Sequence, residues 1–427
     1  MKEWDTFPSI TKGKGIWLID SKGNKIIDAV GSMWCNVWGH SNPQLMKSIT
    51  NQSKKIQHSS LFNLTNEPVE KLADNLIKIS PGMYKVFFSD NGSSAMEIAI
   101  KMALQYWKNI GELNKTQIAT VENGYHGDTF GAMSVGYVPE FFSKFKKQLF
   151  STIQFPVPNK YRIPKGFTFL DYQNNCLDKI EKRFSKQDNI AAFIMESGAQ
   201  MAGGVIIYPK GFQKKISNLC KKYEILFVLD EIATGFGRLG SMTQYQEQKS
   251  IPDIVAYGKM LTGGYLTMAA TLANKKIYDS FLGEFEDWKH LFHGHTYTGN
   301  PLAAAVANEN FNMYQKNNLI KKIQNTSKVF TDYYQRLLEI DIVGDVRHKG
   351  MLMGIELVSD KNKKTPIHTK KSINKIFFEE GKKQGIYFRT LGNIVMLVPP
   401  LAITEKELNL LLDRTIKTIE AVKTQII

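Results

Sequence analysis

The chain has 427 residues, of which 43% are hydrophobic and 22% are charged. This length allows a large core, and the composition is that of a globular protein, which excludes a chain dominated by disorder. The 55 basic and 40 acidic residues leave a net charge of +15. Because the lysines are scattered in short groups, we expect a solvated basic surface and no nucleic-acid partner.

Three cysteines, Cys35, Cys176 and Cys220, are widely spaced and odd in number. Neither a disulfide framework nor a metal cluster follows from this spacing, which favours a reducing compartment. The first residues, MKEWDTFPSI, lack the apolar stretch of a secretory signal. No window approaches the ~18 apolar residues of a membrane-spanning helix, so we expect a cytoplasmic protein without a membrane partner.

In chain order, the first predicted element is a hairpin over GIWLIDSKGNKIIDAV (15–30), turned at Lys22-Gly23-Asn24. The middle of the chain then alternates helical patterns with four short apolar runs. These runs are KVFFSD (85–90), IAAFIMES (190–197), EILFVLDE (224–231) and DIVAYGK (253–259). Continuous apolar runs separated by helices are typical of a parallel sheet covered on both faces.

From about residue 345, alternating strand patterns are mixed with helices. The sequence therefore predicts an α/β protein with a mostly parallel sheet in a large domain and a smaller α+β domain built from both ends of the chain. The predicted boundaries are 1–45 and 311–427 for the small domain and 46–310 for the large one.

Lys259 and Asp230 each end an apolar run, where ligands of open α/β sheets bind. A lysine in an apolar pocket is a usable nucleophile, and a carboxylate facing a ring nitrogen keeps that nitrogen protonated. Together they indicate a pyridoxal phosphate (PLP) site, in which the lysine binds the cofactor aldehyde. Taken alone, Lys259 could be a solvated lysine, and Asp230 a helix cap or one partner of a surface ion pair.

Other residues support this interpretation without requiring it. Gly92 and Ser93 open a helix directly after a strand, which suits a phosphate but also an ordinary turn. Tyr125, beside His126 in a glycine-flanked loop, could stack on a planar cofactor or pack in the core. Trp34 could likewise be a core aromatic.

The segment HGHTYTGNPLA (293–303) offers the Thr296 hydroxyl before a helix. Its two histidines raise the question of a metal, but no carboxylate completes a spacing such as H-E-x-x-H, so we expect no metal. Arg389 suits a bidentate grip on a carboxylate, although it could equally be a surface arginine.

Five motifs in this order resemble the class III aminotransferases of PLP fold type I: EIAIKMALQYW, NGYHGDTFGAMSV, DEIATGFGRLG, GKMLTGGY and HGHTYTGNPLA. The resemblance covers nearly the whole chain from about Gly15. It implies the fold of that group, ping-pong amino transfer through Lys259, and a homodimer with shared active sites. Within the family, the similarity to biotin-pathway members implies conversion of 8-amino-7-oxononanoate to 7,8-diaminononanoate.

The resemblance also implies roles for individual residues by their motif positions. The catalytic residues would be Lys259, Asp230 and Tyr125. The PLP-binding residues would be Gly92, Ser93, Tyr125, His126, Glu196, Asp230, Lys259 and, from the second subunit, Thr296. The substrate-binding residues would be Trp34, Tyr125, Lys259, Gly294, His295 and Arg389. Asp128 would support the loop that carries Tyr125.

Some positions depart from the family pattern. Met33-Trp34 stands where many members that use S-adenosylmethionine have two tryptophans, and His295 stands where they have proline. Both changes resemble the branch in which lysine is the suspected donor, so S-adenosylmethionine and lysine both stay open. Members of the family usually begin with a longer segment that contains a tyrosine of the substrate pocket, whereas this chain starts at MKEWDTFPSI, so we expect one pocket wall to be missing or replaced.

Two further hypotheses stay open from the sequence. One is another class III aminotransferase that acts on an ω-amino acid or a diamine. The other is a basic nucleic-acid-binding protein with an inactive aminotransferase fold, which the intact set of Lys259, Asp230, Gly92 and Thr296 disfavours.

Overall fold

The structure, a computed structural model, describes residues 7–426. Residues 1–6, where the predicted small domain begins, lie outside the described residues. The strands are β1 (Ile10–Lys14), β2 (Trp17–Asp20), β3 (Lys25–Asp28), β4 (Met83–Ser89), β5 (Gln117–Val121), β6 (Ile153–Phe155), β7 (Ile190–Glu196), β8 (Ala199–Gln200), β9 (Ile206–Ile207), β10 (Leu226–Asp230), β11 (Ile254–Tyr257), β12 (Ala269–Asn274), β13 (Val343–Lys349), β14 (Leu352–Asp360), β15 (Thr365–Pro366), β16 (Ile386–Tyr387), β17 (Arg389–Leu391) and β18 (Ile394–Leu397).

The helices begin with a single turn, α1 (Gly31–Trp34). The others are α2 (Pro43–Ser53), α3 (Glu67–Ile79), α4 (Gly92–Asn109), α5 (Phe130–Val135), α6 (Pro139–Phe142), α7 (Phe169–Phe184), α8 (Phe212–Lys222), α9 (Gln244–Glu247), α10 (Lys275–Ser280), α11 (Pro301–Lys316), α12 (Leu319–Thr326), α13 (Val329–Leu338), α14 (Ile373–Lys383) and α15 (Glu405–Ile426). Short 3₁₀ helices cover Ser143–Gln148, Lys259–Thr262 and Phe285–Asp287.

A seven-stranded sheet in the order β4-β12-β11-β10-β7-β5-β6 forms the centre of the protein. Only β12 runs antiparallel to its neighbours, so the predicted mostly parallel sheet is confirmed. Every residue of β7 and β10 is buried, as expected for parallel strands covered on both faces.

Alternate residues of the central strands pack into two different cores. Ala192 and Ile194 of β7 belong to a core with α4, whereas Phe193 and Met195 belong to a core with α7 and α8. Because successive side chains of a strand point to opposite faces, this division shows helices on both sides of the sheet. The predicted α/β architecture is therefore confirmed.

The two ends of the chain meet in a smaller sheet. β2 and β3 form the predicted hairpin, and its turn is held by Asp20, whose Oδ1 accepts hydrogen bonds from Lys22 N and Asn24 N at 2.9 Å each. The late strand β16 pairs in parallel with β3 in the order β1-β2-β3-β16. A separate five-stranded sheet has the order β13-β14-β18-β17, and its fifth strand, β15, pairs with β14. The domain boundaries at 45 and 310 stay predictions.

Across residues 7–426, none of the helices combines the length and the apolar character needed to cross a bilayer.

The core around Phe193 gives a test of the packing. This side chain is fully buried, and its ring centroid lies 6.1 Å from those of Phe155 and Phe184. We expect Phe193→Ala to lower the free energy of unfolding by about 3–5 kcal/mol because it leaves a cavity in the core. Denaturant unfolding would measure this, with Ile251→Ala as control. The Ile251 side chain is 77% exposed, so its removal should lower the free energy of unfolding by no more than about 0.5 kcal/mol. If the two variants were destabilised equally, the buried position of Phe193 would be contradicted.

Candidate active site

Strand register brings the acidic residues and the lysine to one edge of the central sheet. β7 and β10 are parallel and in register, so that their last residues, Glu196 and Asp230, lie side by side. The next strand, β11, pairs Ala256 with Asp230 and ends two residues before Lys259. Because carboxyl ends of parallel strands meet at one edge, these three side chains share a site.

The N-terminus of α4 lies across the site from these three side chains and forms another of its walls. The side chain of Asn91 caps the helix by accepting a hydrogen bond from Ser94 N at 2.9 Å. A Cβ atom at Gly92 would lie 3.0 Å from the Ile232 side chain, so glycine lets the helix end approach the segment that follows Asp230. Unpaired N–H groups in the first turn of a helix suit an anion.

A cavity of about 230 Å³ lies between these elements. Eight of the predicted residues line it: Trp34, Gly92, Ser93, Tyr125, His126, Glu196, Asp230 and Lys259. The other lining residues were not predicted as site residues; they are Asn91, Gly127, Ile232, Ala233 and Thr234. The last three begin two residues after Asp230, the end of β10, so their place after a buried strand is the signal that could have identified them.

Asp230 is buried and fixed through both of its oxygens. Oδ2 lies 2.8 Å from Nδ1 of His126, and Oδ1 accepts a hydrogen bond from Ile232 N at 2.8 Å. His126 is buried as well, and within the described residues its Nε2 has no hydrogen-bond partner. The carboxylate is thus held in one orientation by a buried imidazole on one side and a backbone N–H on the other.

Glu196 joins two loops at the floor of the site. Its Oε1 accepts a hydrogen bond from Met201 N at 2.8 Å, and its Oε2 accepts one from Tyr125 N at 3.2 Å. Burial raises the pKa of Glu196 to about 7, against the opposing effect of His126. The side chain therefore orients the loop that carries Tyr125.

Lys259 lies in a strained backbone position, with a φ of +44°. Such a conformation is uncommon outside glycine and is found at functional sites. Burial lowers the pKa of Lys259, while Asp230 and Glu196 oppose this shift. Its Nζ lies 5.5 Å from the centroid of the Trp34 ring. The amine is thus kept more easily deprotonated than an ordinary lysine.

A second cavity of about 360 Å³ adjoins the first and shares Trp34, Tyr125 and Lys259 with it. Its remaining lining is Met33, Asp128, Phe141, Ala202, Arg389 and Leu391. Arg389 thus lies in the same cavity as Lys259. Apart from Met33, Asp128 and Arg389, the remaining three lie in separate segments: Phe141 in α6, Ala202 after β8 and Leu391 at the end of β17. None of them carries a motif that would have identified it.

Tyr125 is oriented by neighbours on both sides. Its Oη donates a hydrogen bond to Oδ2 of Asp128 at 2.8 Å, and its ring stacks on Phe142 with a centroid distance of 6.1 Å. Burial and the Asp128 carboxylate raise the pKa of Tyr125. The phenol is therefore protonated at neutral pH and donates its hydrogen bond to the Asp128 carboxylate.

Three predicted residues do not line either cavity of this chain. Gly294 and Thr296 are exposed, and His295 pairs with Asp90 at 3.0 Å. Thr296 was predicted to act from the second subunit. Its position in one chain does not test that role, which stays a prediction. Within residues 7–426 no group of three His, Cys, Asp or Glu side chains is arranged to hold a metal ion.

The fold and the site define a class of protein. The family model of class III aminotransferases matches residues 2–419, and the chain belongs to this family. The adenosylmethionine-8-amino-7-oxononanoate aminotransferase of Geobacter sulfurreducens is 40% identical over 99% of this chain and 94% of its own length. The enzyme of the same name from Staphylococcus aureus is 44% identical over 93% of this chain and 88% of its own length.

Solved structures agree with these relatives. The adenosylmethionine-8-amino-7-oxononanoate aminotransferase of Methanocaldococcus jannaschii is 41% identical, with a TM-score of 0.91 over 98% of this chain and 94% of that one. The omega transaminase of Pseudomonas jessenii in complex with PMP is 29% identical, with a TM-score of 0.94 over the same shares of the two chains.

The pKa of Glu196 predicts a pH effect on stability. It is about 7 in the folded protein against 4.5 as the ordinary value, so the folded state binds more protons between these two pH values. The contribution of Glu196 to the free energy of unfolding therefore falls as the pH rises from about 4.5 to about 7. We expect Glu196→Gln to remove this fall, so that its Tm rises relative to the wild type across that window. Parallel Tm profiles would contradict the raised pKa.

Proposed function

We propose that this enzyme transfers an amino group to 8-amino-7-oxononanoate and forms 7,8-diaminononanoate in biotin biosynthesis, with S-adenosylmethionine or lysine as donor. The observation that carries the proposal is Lys259 at the junction of two cavities, one ending at Asp230 and the other containing Arg389. The names of the similar enzymes from three organisms support the same acceptor.

The residues of the first cavity fit PLP. Gly92 and Ser93, at the N-terminus of α4, would hold its phosphate. Asp230 would face its ring nitrogen, and Tyr125 would cover one face of its ring. Thr234 is buried, and its hydroxyl has no partner within residues 7–426, which suits a polar ligand. When bound, PLP supplies an electron-accepting ring next to the carbon that carries the transferred amino group.

Lys259 would bind the cofactor aldehyde covalently and later carry a proton. Because burial lowers the pKa of Lys259, more of its amine is neutral and nucleophilic at physiological pH than for an exposed lysine. The same Nζ, displaced by the donor amine, would accept the proton that leaves the donor carbon. Asp230, held by His126, would face the ring nitrogen.

The second cavity would hold the acceptor. Its carboxylate would pair with Arg389, whose guanidinium contacts Met33 on the same wall. The Trp34 indole N–H is buried and has no acceptor among the described residues, so it could donate to a substrate. Tyr125, with its Oη on Asp128, would lie between the cofactor and the substrate chain.

A second copy of the chain would complete the site. The segment before α11 exposes the rings of Phe285, Trp288 and Phe292, which form a continuous row with His290 at centroid distances of 5.5–5.8 Å. A contiguous exposed apolar surface of this kind is typical of an interface. Thr296 lies in the same segment, so a symmetric dimer could bring it to the PLP phosphate of the partner's site.

The activity is tested by measuring 7,8-diaminononanoate formed by PLP-loaded enzyme with 8-amino-7-oxononanoate and each donor. We expect Lys259→Ala to lower the rate by about 100-fold or more and to remove covalent attachment of the cofactor. Lys115→Ala is a matched control, since burial also lowers the pKa of Lys115 and its Nζ lies 4.7 Å from the Trp107 ring centroid, away from the cavities. It should keep the wild-type rate.

The similarity to an omega transaminase supports one alternative acceptor class. Competition between 8-amino-7-oxononanoate and simple keto acids, with the same donor, separates the two. A preference for the simple keto acids, or no transfer to 8-amino-7-oxononanoate from either donor, would contradict the proposed acceptor.

The shared site is tested by mixing Lys259→Ala with Thr296→Ala, which should both have lost activity if Thr296 binds the cofactor phosphate of the partner's site. In a mixed dimer, one site would have Lys259 from one subunit and Thr296 from the other. Random exchange makes half of the dimers mixed, with one intact site each, so about a quarter of wild-type activity should return. A mixture no more active than its two parents would show that Thr296 does not act across the dimer.

A further inference from the structure

The turn α1 has a left-handed backbone. The φ angles of Gly31, Ser32, Met33 and Trp34 are +52°, +59°, +103° and +71°. The turn is closed by Trp34 N, which donates to Val30 O at 2.8 Å, and by Cys35 N, which donates to Gly31 O at 3.1 Å. Left-handed runs are unfavourable for L-residues other than glycine, so three such residues in succession must be held by their surroundings.

Asp28 supplies much of that hold. It is completely buried at the end of β3. Its Oδ2 accepts hydrogen bonds from Ser32 N at 2.8 Å and from Ser32 Oγ at 3.0 Å, and its Oδ1 accepts one from Val30 N at 3.3 Å. The carboxylate therefore binds the backbone on both sides of Gly31, which is where the left-handed turn begins.

His40 holds the other side of the carboxylate. Its Nε2 lies 3.0 Å from Oδ2 of Asp28, and its backbone exchanges two hydrogen bonds with Gly15, at 2.8 and 3.2 Å. The preceding residue, Gly39, accepts a hydrogen bond from Tyr265 Oη at 3.2 Å. The support of the turn is thus tied to the N-terminal strands and to the segment that follows Lys259.

The residues of this left-handed turn form part of the walls of both cavities. Trp34 lines both of them and Met33 lines the second. The Trp34 ring faces Nζ of Lys259, and Met33 contacts Arg389. A right-handed or extended backbone at these positions would move both side chains away from the substrate cavity.

We propose that Asp28 and His40 are positioning residues that hold the left-handed turn and thereby set the affinity of the second cavity for a carboxylate-bearing substrate. Neither residue lines the first or the second cavity. This inference rests on the proposed function for its effect on substrate, but the state of the turn can be measured without any turnover.

The kinetic test compares Asp28→Asn with Asp20→Asn. In asparagine one of the two oxygens is replaced by an NH2 group, so Asp28→Asn places a donor against the N–H of either Val30 or Ser32. We expect its KM for the keto acid to rise about 10-fold or more, with kcat and PLP affinity changed less than about 3-fold. Asp20 is a buried carboxylate that also accepts backbone N–H groups, but in the β2–β3 turn. Asp20→Asn should leave KM unchanged.

Hydrogen exchange of the PLP-loaded protein measures the turn directly. Peptides covering residues 29–38 should exchange faster in Asp28→Asn than in the wild type, and should keep wild-type rates in Asp20→Asn. His40→Gln leaves the Asp28 carboxylate in place and should shift exchange and KM in the same direction by a smaller factor, which keeps the test open if Asp28→Asn does not fold.

The outcomes separate the two claims. Suppose that Asp28→Asn exchanges faster but the wild type transfers no amino group. That result would overturn the proposed function, whereas the role of Asp28 in holding the turn would stand. The positioning role would be overturned if hydrogen exchange were unchanged in both Asp28→Asn and His40→Gln. It would also be overturned if Asp20→Asn raised KM as much as Asp28→Asn does.

Discussion

The parallel register of β7, β10 and β11 is the constraint on which the site depends. It fixes Glu196 beside Asp230 and places Lys259 just beyond the next strand. All three strands are buried on both faces, so a slip of one residue would turn core side chains toward the wrong layer. The same packing that stabilises the sheet therefore fixes the relative positions of a carboxylate and an amine in the cavity.

The burial that makes Lys259 easier to deprotonate also brings its amine close to the Asp230 carboxylate. Alone, a buried lysine would lose its proton readily, and a buried aspartate would gain one. Asp230 opposes the effect of burial on Lys259, and His126 with Ile232 N fixes the orientation of the Asp230 carboxylate. The result is an amine that can give up its proton beside an acid held in one orientation, as amino transfer requires.

The sequence predicted the parts of the site that local signals determine. Asp230 and Lys259 follow apolar runs, and Gly92 follows a strand and opens a helix, so their meeting at one edge could be expected from the α/β pattern. The hairpin at Lys22-Gly23-Asn24 was also predicted correctly. In each case a strand end or a turn residue carried the information within a few residues of the site.

Other parts depend on contacts that no local pattern reveals. Phe141 and Leu391 reach the second cavity from distant segments. The left-handed turn at Gly31–Trp34 contains a single glycine and depends on Asp28 and His40. The proposed role of Thr296 requires a second subunit, so neither the sequence pattern nor one chain determines it.

The most direct test of the central claim is the rate of the first half-reaction, from donor amine to enzyme, in Asp230→Asn. If the strand register places this carboxylate opposite the cofactor ring nitrogen, the rate should fall by about 100-fold or more, while the cofactor stays covalently attached to Lys259. Asp253→Asn removes a half-buried carboxylate outside both cavities, whose Oδ2 accepts a hydrogen bond from Phe227 N at 2.9 Å, and it should react at the wild-type rate. A wild-type rate in Asp230→Asn would contradict the account.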